Sequence, residues 1–287
     1  MKIQEQAPAK INLALNILGR RTDGYHELRM VMQSVSLCDT VTVEETGIGF
    51  TLLADGFTVP AGKSSLEQQA AEAFFAAVGR PMPPLTVHLE KTTPAYAGLG
   101  GGSADVAALL RCLRRQYAPE MPVEQLRAIG LTVGSDMPFC VSGGTALAEG
   151  RGERLTALPA LPDCWIVLCK PEFGIPTPAL FTLADAGTPK NRPDIDGMIR
   201  ALSAGDLDGV AARLCNVFEE FLPEEYHEVF HIKNRLLELG ALNAAMSGSG
   251  PTVFGIFREE TAAKAAETAL KQRYPQTYLA KPVGELV

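Results

Sequence analysis

Basic charge, aromatic residues and long apolar runs are all scarce in this sequence. Lys and Arg number 26 against 33 Asp and Glu, a net charge of −7. That balance argues against nucleic acid as the main partner, because a phosphate backbone needs a basic face. The six cysteines contain no C-x-x-C pair. Scattered thiols fit a reduced, cytosolic protein better than a disulfide frame. No apolar run is long enough to span a bilayer, and no signal-peptide core opens the chain. We therefore expect a soluble, cytoplasmic protein. Internal repeats, low-complexity tracts, the G-x-S-x-G nucleophile elbow and the H-R-D and D-F-G sets are also missing. The length, 287 residues, allows one large domain or two smaller ones.

What stands out instead is Pro94-Ala95-Tyr96-Ala97-Gly98-Leu99-Gly100-Gly101-Gly102-Ser103-Ala104-Asp105. Four glycines in five residues leave its backbone bare. Leu85-Thr86-Val87-His88-Leu89 before it alternates like a strand. Val106, Leu109, Leu110, Leu113 and Tyr117 after it recur at helical spacing, with Arg111, Arg114 and Arg115 outside that stripe. A glycine loop between strand and helix can turn several N–H groups toward one anion, at the positive end of the helix dipole. The phosphate chain of a nucleotide is the expected anion. In an acidic protein, backbone amides, magnesium and a few lysines must supply the positive potential.

Along the chain, Ala7 to Leu15 reads as a strand with Ile11, Leu13 and Leu15 on one face and Lys10 and Asn12 on the other. Asp23-Gly24 marks a turn, followed at once by Tyr25-His26. An aromatic beside a histidine suits either a clamp for a flat base or a turn anchor. Val35–Glu45 is expected as a strand and Leu66–Val78 and Val123–Ile129 as helices. Asp136, in Gly134-Ser135-Asp136-Met137-Pro138, suits a helix cap and a catalytic acid about equally. Gly143–Ala148 reads as a strand, and the polar turn Glu149–Glu153 as the approach to a boundary.

The second half offers the strand Trp165–Cys169, then a proline-stiffened connection through Pro171, Pro176 and Pro178 to Phe181. Helices are expected at Asp194–Ser203, Leu207–Leu214, Pro223–Leu239 and Thr261–Arg273, and a strand at Thr277–Ala280. Ala244–Phe257 is a second small-residue loop leading into a strand. Without a regular βαβ repeat, the pattern is α+β in two halves.

Two motifs are set aside. Gly56–Ser64 ends in Gly-Lys-Ser, but its first glycine lies one residue too far away for a Walker loop, and Pro60 interrupts it. His227-Glu228-Val229-Phe230-His231 matches H-E-x-x-H, yet Glu225 and Lys233 flank it with charge and no third ligand is evident. A solvated helix face is the better reading, and no metal ligand set is assigned.

Pro94-x-x-x-Gly98-Leu99-Gly100-Gly101-Gly102-Ser103 resembles the phosphate loop of the GHMP kinases. Ala7-Pro8-Ala9-Lys10-Ile11-Asn12-Leu13, Asp23-Gly24-Tyr25-His26, Gly134–Phe139, Ile175-Pro176-Thr177 and Met246-Ser247-Gly248-Ser249-Gly250 resemble one branch of that family. The resemblance implies an α+β, two-domain fold, residues 1–155 and 156–287, with the active site in the interdomain cleft. It implies ATP- and Mg2+-dependent phosphorylation of a hydroxyl on the methylerythritol part of a CDP-linked substrate. Lys10 and Asp136 match the catalytic pair, with Asp136 orienting or deprotonating the hydroxyl and Lys10 offsetting charge. Pro94, Gly98, Leu99, Gly100, Gly101, Gly102 and Ser103 match the ATP-phosphate loop. Asn12, Tyr25, His26, Thr177 and Phe181 match substrate-side positions, with Tyr25 and Phe181 sandwiching cytosine while His26 reads its edge. This chain departs from the pattern at Tyr96, usually glycine, Ala104, usually serine, Ser65, usually asparagine, and Val217, where an acid is common.

Overall fold

The computed structural model describes residues 2–54 and 64–287. Residues 56–63 of the Walker-like segment lie outside them. Two long antiparallel strands, β1 (Lys2–Arg20) and β2 (His26–Glu44), form the spine of the first sheet. Asp23 closes their turn by accepting the Tyr25 N–H at 3.1 Å, while Gly24 takes φ 86°. The other edge of β2 serves several partners in series. β5 (Thr145–Gly150) lies along residues 28–33, and β4 (Leu85–Glu90) along residues 40–44. Between them β12 (Pro282–Val283) pairs with Val35 and Ser34. β3 (Phe50–Ala54) extends β4, β6 (Arg154–Ala157) extends β5, and β8 (Cys215–Asn216) runs parallel to β1.

β1 is not a plain alternating strand. Its register shifts between Pro8 and Lys10, between Asn12 and Ala14, and between Ile17 and Gly19. The middle shift overturns one expectation. Ile11 and Leu13 enter one apolar cluster, but Leu15 enters the other. A bulge inserts one residue, and that reverses the faces beyond it. Lys10 and Asn12, both before the shift, still meet.

Helices α1 (Leu66–Ala77), α2 (Gly101–Tyr117), α3 (Val123–Leu131) and α4 (Met137–Ser142) accompany this sheet. α2 starts inside the glycine loop, five residues before the apolar stripe that announced it, and is buried from Ala104 through Leu113. Its Arg111 is therefore inside the protein, not on the polar face. It donates to the carbonyls of Cys140 at 2.8 Å and Gln6 at 2.7 Å. One guanidinium thus joins β1, α2 and α4, the elements that carry Lys10, the glycine loop and Asp136.

The second sheet runs β11 (Thr277–Ala280), β7 (Trp165–Cys169), β10 (Val253–Phe257), β9 (Asn243–Met246), all antiparallel. α8 (Glu228–Glu238) and α9 (Glu260–Lys271) pack on it. Ile166, Leu168, Phe254 and Ile256 share a cluster with Ile11, Leu13 and residues of α6 (Ile195–Ser203) and α7 (Leu207–Ala211). The sheet is apolar on both faces and joins the two halves. The expected helix from Pro223 to Leu239 divides into a short 3-10 turn at Glu224–Tyr226 and α8. The proline-rich connection becomes α5 (Thr177–Asp185), with Pro178 in its first turn, where a missing N–H costs no intrahelical bond.

Replacing Arg111 with Met should strand several buried carbonyls at once. Loss of a donor costs about 1–3 kcal/mol for each orphaned group. We expect Arg111→Met to lower the midpoint of urea unfolding strongly; an unchanged midpoint would refute the joining role.

Candidate active site

Gly98 and Gly100 adopt φ 73° and 69°, which L side chains rarely reach. Gly100 caps α2 without any side-chain bond, and the first turn holds no acidic residue. The first N–H groups of α2 and its positive dipole end are thus left for an anion. Gly101 is the first helical residue, so its need for glycine is spatial. A Cβ there would come 3.0 Å from the Thr93 methyl. Tyr96, where glycine is usual, has φ 51° and stands 85% exposed at the lip of the loop. Ser65 keeps a helix-capping role, accepting the Gln68 N–H at 3.1 Å.

The glycine loop packs backbone to backbone on the second small-residue loop. A Cβ on Gly98 would collide with the Ser247 carbonyl, and the Ser247 hydroxyl donates to the Gly98 carbonyl at 3.0 Å. Asn216 holds that second loop from beneath, donating to the carbonyls of Met246 at 2.8 Å and Gly248 at 2.7 Å. Its own oxygen accepts the Phe218 N–H. The sequence reading named the Ser247 loop but gave Asn216 no role. The available signal was its place just before Val217, where the chain departs from the family pattern.

Lys10 lies where these loops meet. Its N–H donates to the Leu99 carbonyl at 2.9 Å, and its aliphatic stem passes over Gly100, where a Cβ would come 3.0 Å from Cγ. The ammonium donates to Asn12 Oδ1 at 2.9 Å and lies 3.5 Å from Asp136 Oδ2. Asp136 precedes α4, yet its carboxylate makes no capping bond. The geometry therefore favours an acid facing Lys10 over a helix cap. Its side chain is 35% exposed, whereas that of Lys10 is 6% exposed. Burial pushes the neighbouring Cys140 thiol up to about 12, so it supplies no thiolate near neutral pH.

The turn 151–153 links this pair to the outer wall. A Cβ on Gly152 would come 3.9 Å from Asp136 Oδ1, and the Arg151 guanidinium lies 4.6 Å over the Tyr25 ring. Tyr25 is 51% exposed. Next along the chain, His26 stacks on Phe181 with ring centroids 4.3 Å apart, and its Nε2 lies 2.7 Å from Asp185 Oδ1. Phe181 also meets Phe218 edge-on. His26, not Tyr25, is the ring stacked on Phe181, because α5 brings Phe181 and Asp185 to it together. Thr177 bonds Ser249 at 2.6 Å, connecting α5 to the second loop.

Behind the glycine loop lies a buried ionic cluster that sequence reading missed. Lys91 Nζ contacts one carboxylate oxygen each of Asp39 and Asp105. Asp39 is fully buried and Asp105 is 2% exposed. Burial opposes the Lys91 charge, but the two carboxylates outweigh it and raise its pKa. Burial pushes the Asp105 carboxyl up to about 7, against the pull of Lys91. The only sequence cue was an acid, Asp39, within an otherwise strand-like run.

Among the described residues, no group of three His, Cys, Asp or Glu is placed to hold an ion. Glu228 is engaged by Tyr274 and Arg273. His231 lines a groove of about 350 Å3 with Arg235, Arg273 and Tyr274, between α8 and α9. No described helix is long and apolar enough to cross a membrane, and all six cysteines are free.

Asp105 carries a pH signature. In the unfolded chain its carboxyl ionises near 3.8 and in the fold near 7, so between those values folding takes up a proton there. Its contribution to stability falls as pH rises through that window. Asp105→Asn removes this dependence. The melting temperature of the variant should gain on that of the native protein from pH 5 to pH 8; parallel curves would contradict the shift.

Comparison with known proteins adds a second line of evidence. Residues 65–144 match the model of the GHMP kinases N terminal domain, and residues 198–276 that of the GHMP kinases C terminal domain. The chain is similar to the 4-diphosphocytidyl-2-C-methyl-D-erythritol kinase of Moorella thermoacetica, 42% identical over 96% of this chain and 97% of that one. The protein of the same name from Bacillus pumilus is 38% identical over 99% of this chain and 98% of its own. A crystal structure of 4-(cytidine 5'-diphospho)-2C-methyl-D-erythritol kinase superposes with TM-score 0.82 at 32% identity, covering 98% of this chain and 100% of that one. Homoserine kinase from Cytophaga hutchinsonii shares the fold at TM-score 0.75 and 17% identity, over 99% of this chain and 95% of that one.

Proposed function

This chain belongs to the GHMP kinases and is an ATP-dependent phosphotransferase, and on that footing we propose that its acceptor is 4-diphosphocytidyl-2-C-methyl-D-erythritol. It phosphorylates a hydroxyl of the methylerythritol part, a step of non-mevalonate isoprenoid precursor synthesis in the cytoplasm. The observation that carries the active-site reading is the position of Lys10. Its ammonium lies 3.5 Å from the Asp136 carboxylate while its stem runs against the glycine loop at Gly100. An acid, a fixed positive charge and an anion-binding backbone are thereby contiguous.

Phosphoryl transfer asks for alignment and charge stabilisation more than covalent chemistry. Gly98 to Ser103, with Pro94 setting the entry, hold the ATP phosphates on backbone amides. Asp136 orients the acceptor hydroxyl and takes its proton as the new O–P bond forms and the bond to ADP breaks. Lys10 steadies the oxygen that gains charge, and Asn12 fixes the Lys10 ammonium at 2.9 Å. Mg2+ fits the donors present. The Ser103 hydroxyl at the loop would help to hold it beside the phosphates, since that ion needs few protein oxygens. When bound, it neutralises charge on the phosphates.

Tyr25, His26, Thr177 and Phe181 form the cytosine side. Tyr25 presents an exposed ring, and the Asp185 contact at 2.7 Å orients the imidazole of His26. A base held between Tyr25 and Phe181 requires His26 to leave the Phe181 face and turn its edge to the ligand. The halves 1–155 and 156–287 build one cleft, with their boundary falling inside β6 of the first sheet. β8 and β12 then return from the second half to the first sheet.

Asp136→Asn keeps the shape and loses the proton acceptor. We expect both ligands to bind and turnover to fall by about 10²–10⁴-fold; near-native turnover would rule Asp136 out as base. Tyr25→Ala, Phe181→Ala and His26→Ala should weaken the CDP-linked substrate and spare ATP, by roughly 1–3 kcal/mol for each aromatic contact. Equal losses for both ligands, in step with melting temperature, would make these residues structural and return the acceptor to question.

A further inference from the structure

β2 and β4 pair as far as Thr40 and Glu90, and there the ladder stops. Asp39, next on β2, and Lys91, just past the end of β4, meet through their side chains instead. Asp39 uses one carboxylate oxygen to accept the N–H groups of Thr92 at 2.6 Å and Thr93 at 2.7 Å. Its other oxygen takes the Lys91 ammonium, which also holds Asp105. Thr92 and Thr93 are the last residues before Pro94 opens the glycine loop, and Asp105 lies in α2 just after the loop ends.

We propose that Asp39 is a positioning residue for ATP: it fixes the entrance of the glycine loop through two backbone amides and, through Lys91, the exit at Asp105. The inference rests on the reading that this loop holds the ATP phosphates. The physical case is one of preorganisation. A glycine-rich loop has much backbone freedom to lose when a polyphosphate binds. Tying both ends to one buried carboxylate removes part of that freedom beforehand. Asp39 has no exposed surface and so does not itself touch the nucleotide. The loop rests on this cluster directly, since a Cβ on Gly101 would come 3.0 Å from the Thr93 methyl and 3.8 Å from Asp39 Oδ2. Lys91 also neutralises negative charge that would otherwise lie behind the phosphate site.

Three variants test this. Asp39→Ala removes both attachments and is expected to raise KM for ATP about tenfold, with KM for the CDP-linked acceptor within about twofold of native. Asp39→Asn keeps an oxygen for the Thr92 and Thr93 amides and cuts only the ionic link. It should raise KM for ATP less, by about threefold, and Lys91→Met, cutting the same link, should match it. Calorimetry with a non-hydrolysable ATP analogue gives the affinities directly. A merely structural Asp39 predicts that both KM values rise together with falling melting temperature, or that neither moves; either result overturns the proposal. If Asp39→Ala does not fold, native-like ATP affinity in both Asp39→Asn and Lys91→Met overturns it. A native protein that binds no analogue would refute the loop reading and this inference with it, whereas equal binding by native protein and Asp39→Ala refutes this inference alone.

Discussion

A lysine ammonium taken out of water must be met by fixed polar partners or the fold loses several kcal/mol. Lys10 meets that demand with Asn12, Asp136 and the two loops around it. Much of the local architecture follows. Gly100 leaves room for the lysine stem, and Gly248, where a Cβ would come 3.1 Å from the ammonium, leaves room for its head. The register shift after Asn12 lets β1 present Lys10 and Asn12 to the site while Ile11, Leu13 and Leu15 divide between two cores. Arg111 performs the same service on a larger scale, joining the three elements that carry loop, lysine and acid.

The parts legible in the sequence are those governed by local rules. A bare glycine run between strand and helix can turn several amides to one anion, and spacing puts Lys10 and Asn12 on one strand face, though that spacing alone fits a solvated face better and only the family resemblance points to a site. What local rules could not supply is long-range partnership. Asp39 sits 53 residues from Thr92, and Asn216 sits 30 from Met246. Arg111 looked like surface because charge on a helix usually marks solvent, and only three-dimensional packing shows the carbonyls that receive it. The bulge in β1 was hidden for a similar reason, since apolar residues on both sides of the shift keep the pattern hydrophobic. The proposed cytosine side was half legible: His26 and Phe181 do meet, but the stacking partner of Phe181 is decided by α5, which a proline-rich stretch concealed.

The two halves also differ in how they are held. The second sheet is apolar on both faces and closes by ordinary antiparallel pairing. The first owes part of its closure to distant chain, because β8 lies against β1 and the last residues lie against β2. Gln33 reaches the Val283 carbonyl at 3.0 Å, and the Leu286 N–H reaches the Ser142 carbonyl at 2.8 Å.

That last attachment has a consequence for biosynthesis. During synthesis the amino-terminal half leaves the ribosome long before Pro282 and Val283 exist. Until they arrive, the β2 edge between its β5 and β4 neighbours has no strand to pair with. The nascent first half is therefore an open-edged intermediate, and unpaired strand edges invite association between chains. Completion of the first sheet therefore waits on Pro282 and Val283, far downstream of the β2 residues they pair with, although β1, β2, β4 and β5 have all been made long before.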